Sequence, residues 1–341
     1  MKGTVSSIPH CYVDRRTGRI CREQLIGDRH VRLLYSAIRE NAPVLFRTLT
    51  TPRASRWMSY LSYGLPLGNW ISGCRKFAES ASIDLSECLE PSSIRTYRDL
   101  FERKIRYWEC RPLPAGSAAV VSPADSRVLL GSFAETSCLF LKEKFFAFRE
   151  LLGSDKHRWQ KALAGGDYAI FRLTPDKYHY NHTPVSGIVK DIYRIDGANH
   201  SCNPSALMEL ATPLSKNERM VTILDTDVRG GSRAGIVAMV EITAMMIGKV
   251  VQCYSSKKYD SPRPVEPGMF LDMGCPKSLY RPGSSTDVLI FQKNRVAFDP
   301  DLLSNMKLAA CPSRFSAGLG RPLVETDVRV RSQIGQVLRR A

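Results

Sequence analysis

Histidine is scarce in this chain, six among 341 residues, and two of the six fall in one phrase, "FRLTPDKYHYNHTPVSG" (171–187), as His179 and His182. Imidazole exchanges a proton near neutral pH, so a pair in an aromatic-rich loop is equipped for acid/base work. Their spacing of three puts both on one side of a helical turn, or at a strand end with divergent directions. The other four, His10, His30, His157 and His200, bring no evident third ligand, and no metal site is expected. Asp125 stands in "SPADS" (122–126), where an aspartate on its own reads as an Asx-type turn. Ser284, Ser285 and Thr286 lie between a Pro-Gly turn and the run Val288, Leu289, Ile290, Phe291, which reads as a buried strand. On local grounds these hydroxyls satisfy the amides of a turn. A different reading needs a carboxylate to orient a histidine and the histidine to activate a serine. Asp125, His182 and Ser285 supply those three types in that order, and only the fold can bring them together.

The elements that must do so divide near residues 110–126, "CRPLPAGSAAVVSPADS", where Pro, Gly and Ser interrupt the pattern. Before it, residues 30–110 carry helical spacing with basic residues. In one segment Trp57, Leu61, Tyr63 and Trp70 are flanked by Arg53, Arg56, Arg75 and Lys76, a face that suits either a lipid headgroup layer or an ordinary helix packed on its own domain. After it come "RVLLGSF", "YAIFRL", "SGIVKDIYRI", "MVTILDTDV", "AGIVAMVEIT", "GKVVQCYS" and "DVLIFQ", short runs rich in Val, Ile and aromatics. Helical interruptions are expected at "FFAFRELLG" and "KHRWQKALAGG", and "RPLVETDVRVRSQIG" alternates like a strand. The expected fold is α+β: a helical, basic, membrane-associating N-terminal region (1–112) packed on a β-rich domain (113–341).

Composition sets the outer limits. With 43% hydrophobic and 24% charged residues the chain can build a core and is not disordered. Ten cysteines are scattered singly, with no C-x-x-C pair, which fits a reducing compartment and argues against structural zinc. The formal net charge is +16, and residues 1–60 hold eleven Lys/Arg against four Asp/Glu. An anionic neighbour or a merely solvated basic surface accounts for this. No zinc finger, RNA-binding signature or arginine tract favours nucleic acid, leaving anionic lipid as the expected neighbour. "GIVAMVEITAMMIG" is broken by Glu241 and reads as soluble strand, so a membrane would be approached from its surface.

Taken together, "IRTYRDLFERKI" (94–105), "VSPADS" (121–126), "FRLTPDKYHYNHTPVSG", "NERM" (217–220), "IGKVV" (247–251) and "GSST" before "DVLIF" resemble the phosphatidylserine decarboxylase family, in the family's order and over roughly residues 30–335. The resemblance implies a pyruvoyl enzyme made by self-cleavage between Ser284 and Ser285 into a large subunit (1–284) and a small one (285–341). Ser285 would be the nucleophile that becomes the pyruvoyl group, and Ser284 is the second choice of processed residue. The resemblance further implies Asp125 as orienting carboxylate, His182 as base, and His179 as the acid of the decarboxylation step. A self-generated pyruvoyl group would be the only cofactor, within a lipoyl-like sandwich. Phosphatidylserine and an anionic membrane surface would be the partners, with a homodimer as a further implication. The expected location is peripheral, on the cytoplasmic face of a bacterial inner membrane. Ser126 stands where the family commonly has glycine, and residues 271–282 read as a lengthened surface turn before the cleavage site. Two alternatives stay open: pyruvoyl chemistry on a free amino acid, and an unprocessed, non-catalytic membrane-binding protein.

Overall fold

The computed structural model describes residues 8–59, 70–116, 118–134, 144–245, 249–283 and 285–338. Leu61, Tyr63, Cys138, Ser284 and the side chains of Arg56, Trp70 and Arg75 lie outside the described residues. The strands are β1 (Cys11–Asp14), β2 (Ile20–Arg22), β3 (Ala119–Val121), β4 (Ser126–Ser132), β5 (Asp167–Leu173), β6 (Tyr180–His182), β7 (Gly187–Ile195), β8 (Arg219–Asp225), β9 (Ile236–Thr243), β10 (Val250–Gln252), β11 (Phe270–Leu271), β12 (Pro276–Tyr280), β13 (Ser285–Phe291), β14 (Val296–Phe298), β15 (Glu325–Val328) and β16 (Gln333–Val337).

Ten of them form one sheet in the order β11-β7-β8-β9-β13-β5-β4-β15-β1-β2, and the rest form two three-stranded sheets, β10-β12-β6 and β14-β16-β3. Strand β13 is central: all seven of its residues are in register with β5 on one side and β9 on the other. Its side chains alternate between two cores, as the period of two requires. Val288 and Ile290 join Val240, Ile242 and Ile170 on one face, while Leu289 and Phe291 join Met239 and Phe171 on the other. A strand covered on both faces reads as an unbroken apolar run, which is why it is legible in the sequence.

Two features depart from the sequence reading. In the region assigned to helices, β1 and β2 form a hairpin on the edge of the large sheet, β1 running parallel to β15. The turn "DRRTG" makes it: Asp14 Oδ1 accepts the amides of Arg16 and Thr17 at 2.9 and 3.1 Å, and Gly18 takes a φ of 69°. A buried ionic hub holds the hairpin, with Arg172 on both Glu23 (2.6 Å) and Glu325 (2.5 Å), and His10 on Glu325 at 2.9 Å. Secondly, residues 276–280 are no surface turn. They form the fully buried β12, paired with β6 through Pro276 to His182, Ser278 to Asn181 and Leu279 to Tyr180. Lys277 and Ser278 look exposed in sequence, but Glu241, 36 residues before Lys277, neutralises the lysine and accepts from both.

Among the described residues, the N-terminal region after this hairpin is chiefly helical. Tyr35 and Phe46 pack on Ala206, and the Tyr35 hydroxyl accepts the Ser201 amide at 2.6 Å, which docks these helices on the sheet domain. Outward they present Leu33, Val44 (76% exposed), Leu45 and Trp57 (67% exposed). No helix among the described residues is long and apolar enough to cross a membrane.

Candidate active site

Ser285 is the first residue of β13, directly opposite Leu173 of β5 and Thr243 of β9. It is fully buried, and its Oγ has no hydrogen-bond partner. An orphaned buried hydroxyl costs about 1–3 kcal/mol, so such a group calls for a functional reason. The chain enters from Gly283, whose φ of 144° is open to glycine and rarely to other residues.

His182 ends β6. Its amide donates to the Pro123 carbonyl at 2.7 Å, tying the strand to the loop that carries Asp125. The Gly274 carbonyl sits 2.8 Å from Nδ1; a carbonyl only accepts, so the proton is on Nδ1 and Nε2 is the basic nitrogen. Nε2 faces the Tyr178 hydroxyl at 3.0 Å, and Tyr178 in turn meets the Tyr259 hydroxyl at 2.7 Å. Burial lowers His182 from 6.5 to about 3, which keeps it neutral and able to accept a proton.

His179 lies just before β6, its ring stacked on Phe101 with centroids 3.5 Å apart. The Tyr97–Phe101 helix that presents Phe101 starts with a capping box, Thr96 with Asp99. Both ring nitrogens of His179 are buried without a partner. Burial, reinforced by the Arg103 guanidinium, brings it down to about 3 as well.

Asp125 is held elsewhere. Its carboxylate takes Arg111 Nε and Nη2 at 3.1 and 2.9 Å, and the Val330 amide at 2.7 Å. Burial works against its charge, Arg111 outweighs burial, and the group falls to about 2. Arg111 also grips Glu87 at 2.8 and 2.9 Å. An open cavity of about 720 Å³ reaches Asp125 and Arg111, lined also by Arg15, Arg103, Lys177 and Arg329.

The fold therefore gathers three of the expected residues, Asp125, His179 and Ser285, around one small cluster, Phe101, Ala124, Leu173, Val250 and Tyr280, and ties His182 to the neighbouring Pro123. Ala124 precedes Asp125, Leu173 faces Ser285, and Phe101 covers His179. No hydrogen bond joins Asp125 to His182, or His182 to Ser285; the Asp125 charge acts on both imidazoles across space, favouring their protonated forms. Ser284, the alternative processed residue, lies outside the described residues.

Residues 97–311 match the family model for phosphatidylserine decarboxylase. The chain belongs to this family. Among curated phosphatidylserine decarboxylase proenzymes, that of Clostridium tetani is 29% identical over 301 residues, 87% of this chain and 93% of the relative. That of Chlamydia trachomatis serovar L2 is 30% identical over 307 residues, 86% of this chain and 90% of the relative. Phosphatidylserine decarboxylase proenzyme 3 of Schizosaccharomyces pombe is 27% identical over 338 residues, 95% of this chain but 30% of that much longer one. The phosphatidylserine decarboxylase match starts at Tyr97, the first residue of the helix that covers His179, and takes in Asp125, His179, His182 and Ser285.

Several residues around this candidate site escape the sequence reading. Arg111 sits in a stretch that reads as linker. Tyr178, which meets the basic nitrogen of His182, and Tyr259, which meets the Tyr178 hydroxyl, carry no signal beyond aromatic character. Asp287 carries one, a charge set directly before the apolar run Val288–Phe291.

Proposed function

We propose that this chain decarboxylates phosphatidylserine to phosphatidylethanolamine and carbon dioxide, after cleaving itself between Ser284 and Ser285. The observation that carries the reading is the Ser285 hydroxyl, buried and unpartnered at the head of β13, in a chain matched over 86–87% of its length by phosphatidylserine decarboxylase proenzymes. Ser285 Oγ attacks the preceding carbonyl and gives its proton to Nε2 of His182, and the peptide becomes an ester. Loss of the Ser285 Cα proton expels the upstream carboxylate. The dehydroalanine left behind takes up water and releases ammonia, leaving a pyruvoyl group at position 285. Serine is required because a β-hydroxyl both attacks and, once acylated, leaves.

The site fits such a group: the hydroxyl that would generate it is unengaged, and β13 lies between two strands in full register, so Ser285–Phe291 stays in the sheet after the break. A pyruvoyl group supplies an electrophilic ketone and an electron sink for decarboxylation. Gly274 sets the tautomer of His182. Asp125, kept ionised by Arg111, stabilises the imidazolium that forms on proton transfer. His179, which the resemblance makes the acid of the decarboxylation step, is neutral and unpartnered beside Phe101, and we assign its N–H instead to orienting the reacting group in that step. The exposed Leu33, Val44, Leu45 and Trp57, amid basic helices, suit peripheral contact with anionic lipid.

Carbon dioxide release from phosphatidylserine vesicles, compared with release from soluble amino acids, tests the substrate. The expected result is release from vesicles alone. Release from free amino acids would move the activity to soluble substrates, and an intact chain that binds vesicles without turnover would make the protein a non-catalytic lipid binder.

A further inference from the structure

Asp287 stands two residues beyond Ser285 on β13, on the same face of the strand and about 6.6 Å further along it at ~3.3 Å per residue. It is fully buried. The Tyr280 hydroxyl donates to Oδ1 at 2.7 Å, and Oδ2 has no partner. Directly across the ladder is Glu241, whose surroundings are the opposite. Its Oε2 takes Lys277 Nζ at 2.7 Å and Gln252 Nε2 at 2.8 Å, and its Oε1 takes Ser278 and Asn181. One carboxyl of the pair is ringed by donors and a cation; the other receives one hydroxyl.

This inequality decides how the charge is shared. Burial, with the Glu241 carboxylate beside it, drives Asp287 well above the ordinary carboxylate range, and the pull of Lys277 does not reverse it. Because Tyr280 donates to Oδ1, the retained proton belongs on Oδ2. The open oxygen is thus an O–H donor with nothing to donate to, on the strand face it shares with Ser285. His179, the other group at hand, is neutral and holds no surplus proton.

We propose that Asp287 is a further catalytic residue: the acid whose Oδ2–H supplies the proton to the substrate carbon that loses carbon dioxide. This rests on reading Ser285 as the processed residue. As the bond to the carboxylate breaks, its electron pair passes to the sink at position 285. That pair returns to form the new C–H bond, the proton comes from Asp287, and the O–H pair stays behind as a carboxylate. Asp287 regains its proton from solvent as product leaves.

Asp287→Asn tests this, since asparagine keeps the shape, the acceptor for Tyr280 and an N–H donor, and removes only the transferable proton. Self-cleavage, read by mass, stays as in the wild type, while kcat on phosphatidylserine vesicles falls about 100-fold with KM unchanged. In the uncleaved Ser285→Ala chain, infrared spectra at pH 7 show a protonated-carboxyl C=O band that Asp287→Asn removes. Normal turnover in Asp287→Asn, absence of that band, or failure of the variant to cleave each overturns the assignment. A wild type that neither cleaves nor releases carbon dioxide overturns the reading of the reaction instead, whatever the band shows.

Discussion

Arg111 holds both carboxylate oxygens of Asp125, at 3.1 and 2.9 Å, and with its other face holds Glu87. The aspartate that the motif pattern assigns to a histidine is thus fixed first by an arginine from the linker-like segment before β3. Replacing Arg111 by Met leaves a buried, uncompensated carboxylate and costs about 3–5 kcal/mol. Denaturant unfolding in the uncleaved Ser285→Ala background measures it. The sign with pH follows from Asp125 lying at about 2 rather than 3.8: its stabilisation is present above 3.8 and lost as pH falls through 2, and the Met variant lacks this acid limb.

Tyr178 occupies the nitrogen that the base needs. Its hydroxyl lies 3.0 Å from His182 Nε2, while Tyr259 remains satisfied by the Ile105 amide and carbonyl. Tyr178→Phe therefore cleaves at least as fast as the wild type, and His182→Ala does not cleave. Fragment accumulation after denaturing electrophoresis separates the two. Failure of Tyr178→Phe would make the hydroxyl part of the base.

Gly274 both accepts from His182 Nδ1 and takes a φ of 77°, and a Cβ there would meet Leu113 Cδ2 at 2.6 Å. Gly274→Ala is expected to destabilise the uncleaved chain by about 1 kcal/mol or more. It also slows cleavage, because the carbonyl that fixes the tautomer is displaced. Wild-type cleavage in this variant would show that the tautomer is set elsewhere.

Both site histidines lie at about 3 against an ordinary 6.5. Stability from keeping them neutral is full above 6.5 and drains away as pH falls through 3. The base is unprotonated at pH 7 and still so at pH 5, so the rate of self-cleavage changes by no more than about twofold over that interval, where an ordinary histidine would be mostly protonated. A cleavage rate that drops in step with protonation near 6.5 would contradict the burial of His182.

What the sequence discloses follows from how locally each feature is determined. β13 is apolar from Val288 to Phe291 because both its faces are covered, and β5 and β9 beside it, with β8 beyond β9, read as strands for the same reason. His179 and His182 stand out because histidine is rare in this chain. β12 is hidden: Lys277 is buried only because Glu241, on β9, meets it, and no window around residue 277 contains that information. Arg111 and the β1–β2 hairpin are hidden likewise, one by a Pro-rich surrounding and the other by the brevity of its strands. The helical identity of the N-terminal region, which rests on spacing over whole segments, is legible apart from that hairpin.

The central claim is that the chain breaks before Ser285 and makes its own prosthetic group there. Intact mass of the purified protein under denaturing conditions tests it most directly. The account predicts two pieces, about five-sixths and one-sixth of the chain by length, the smaller without a free amino terminus, and a single uncut piece from Ser285→Ala. A wild-type chain of full-length mass, a cut at another position, or a Ser285→Ala chain that still divides would contradict it.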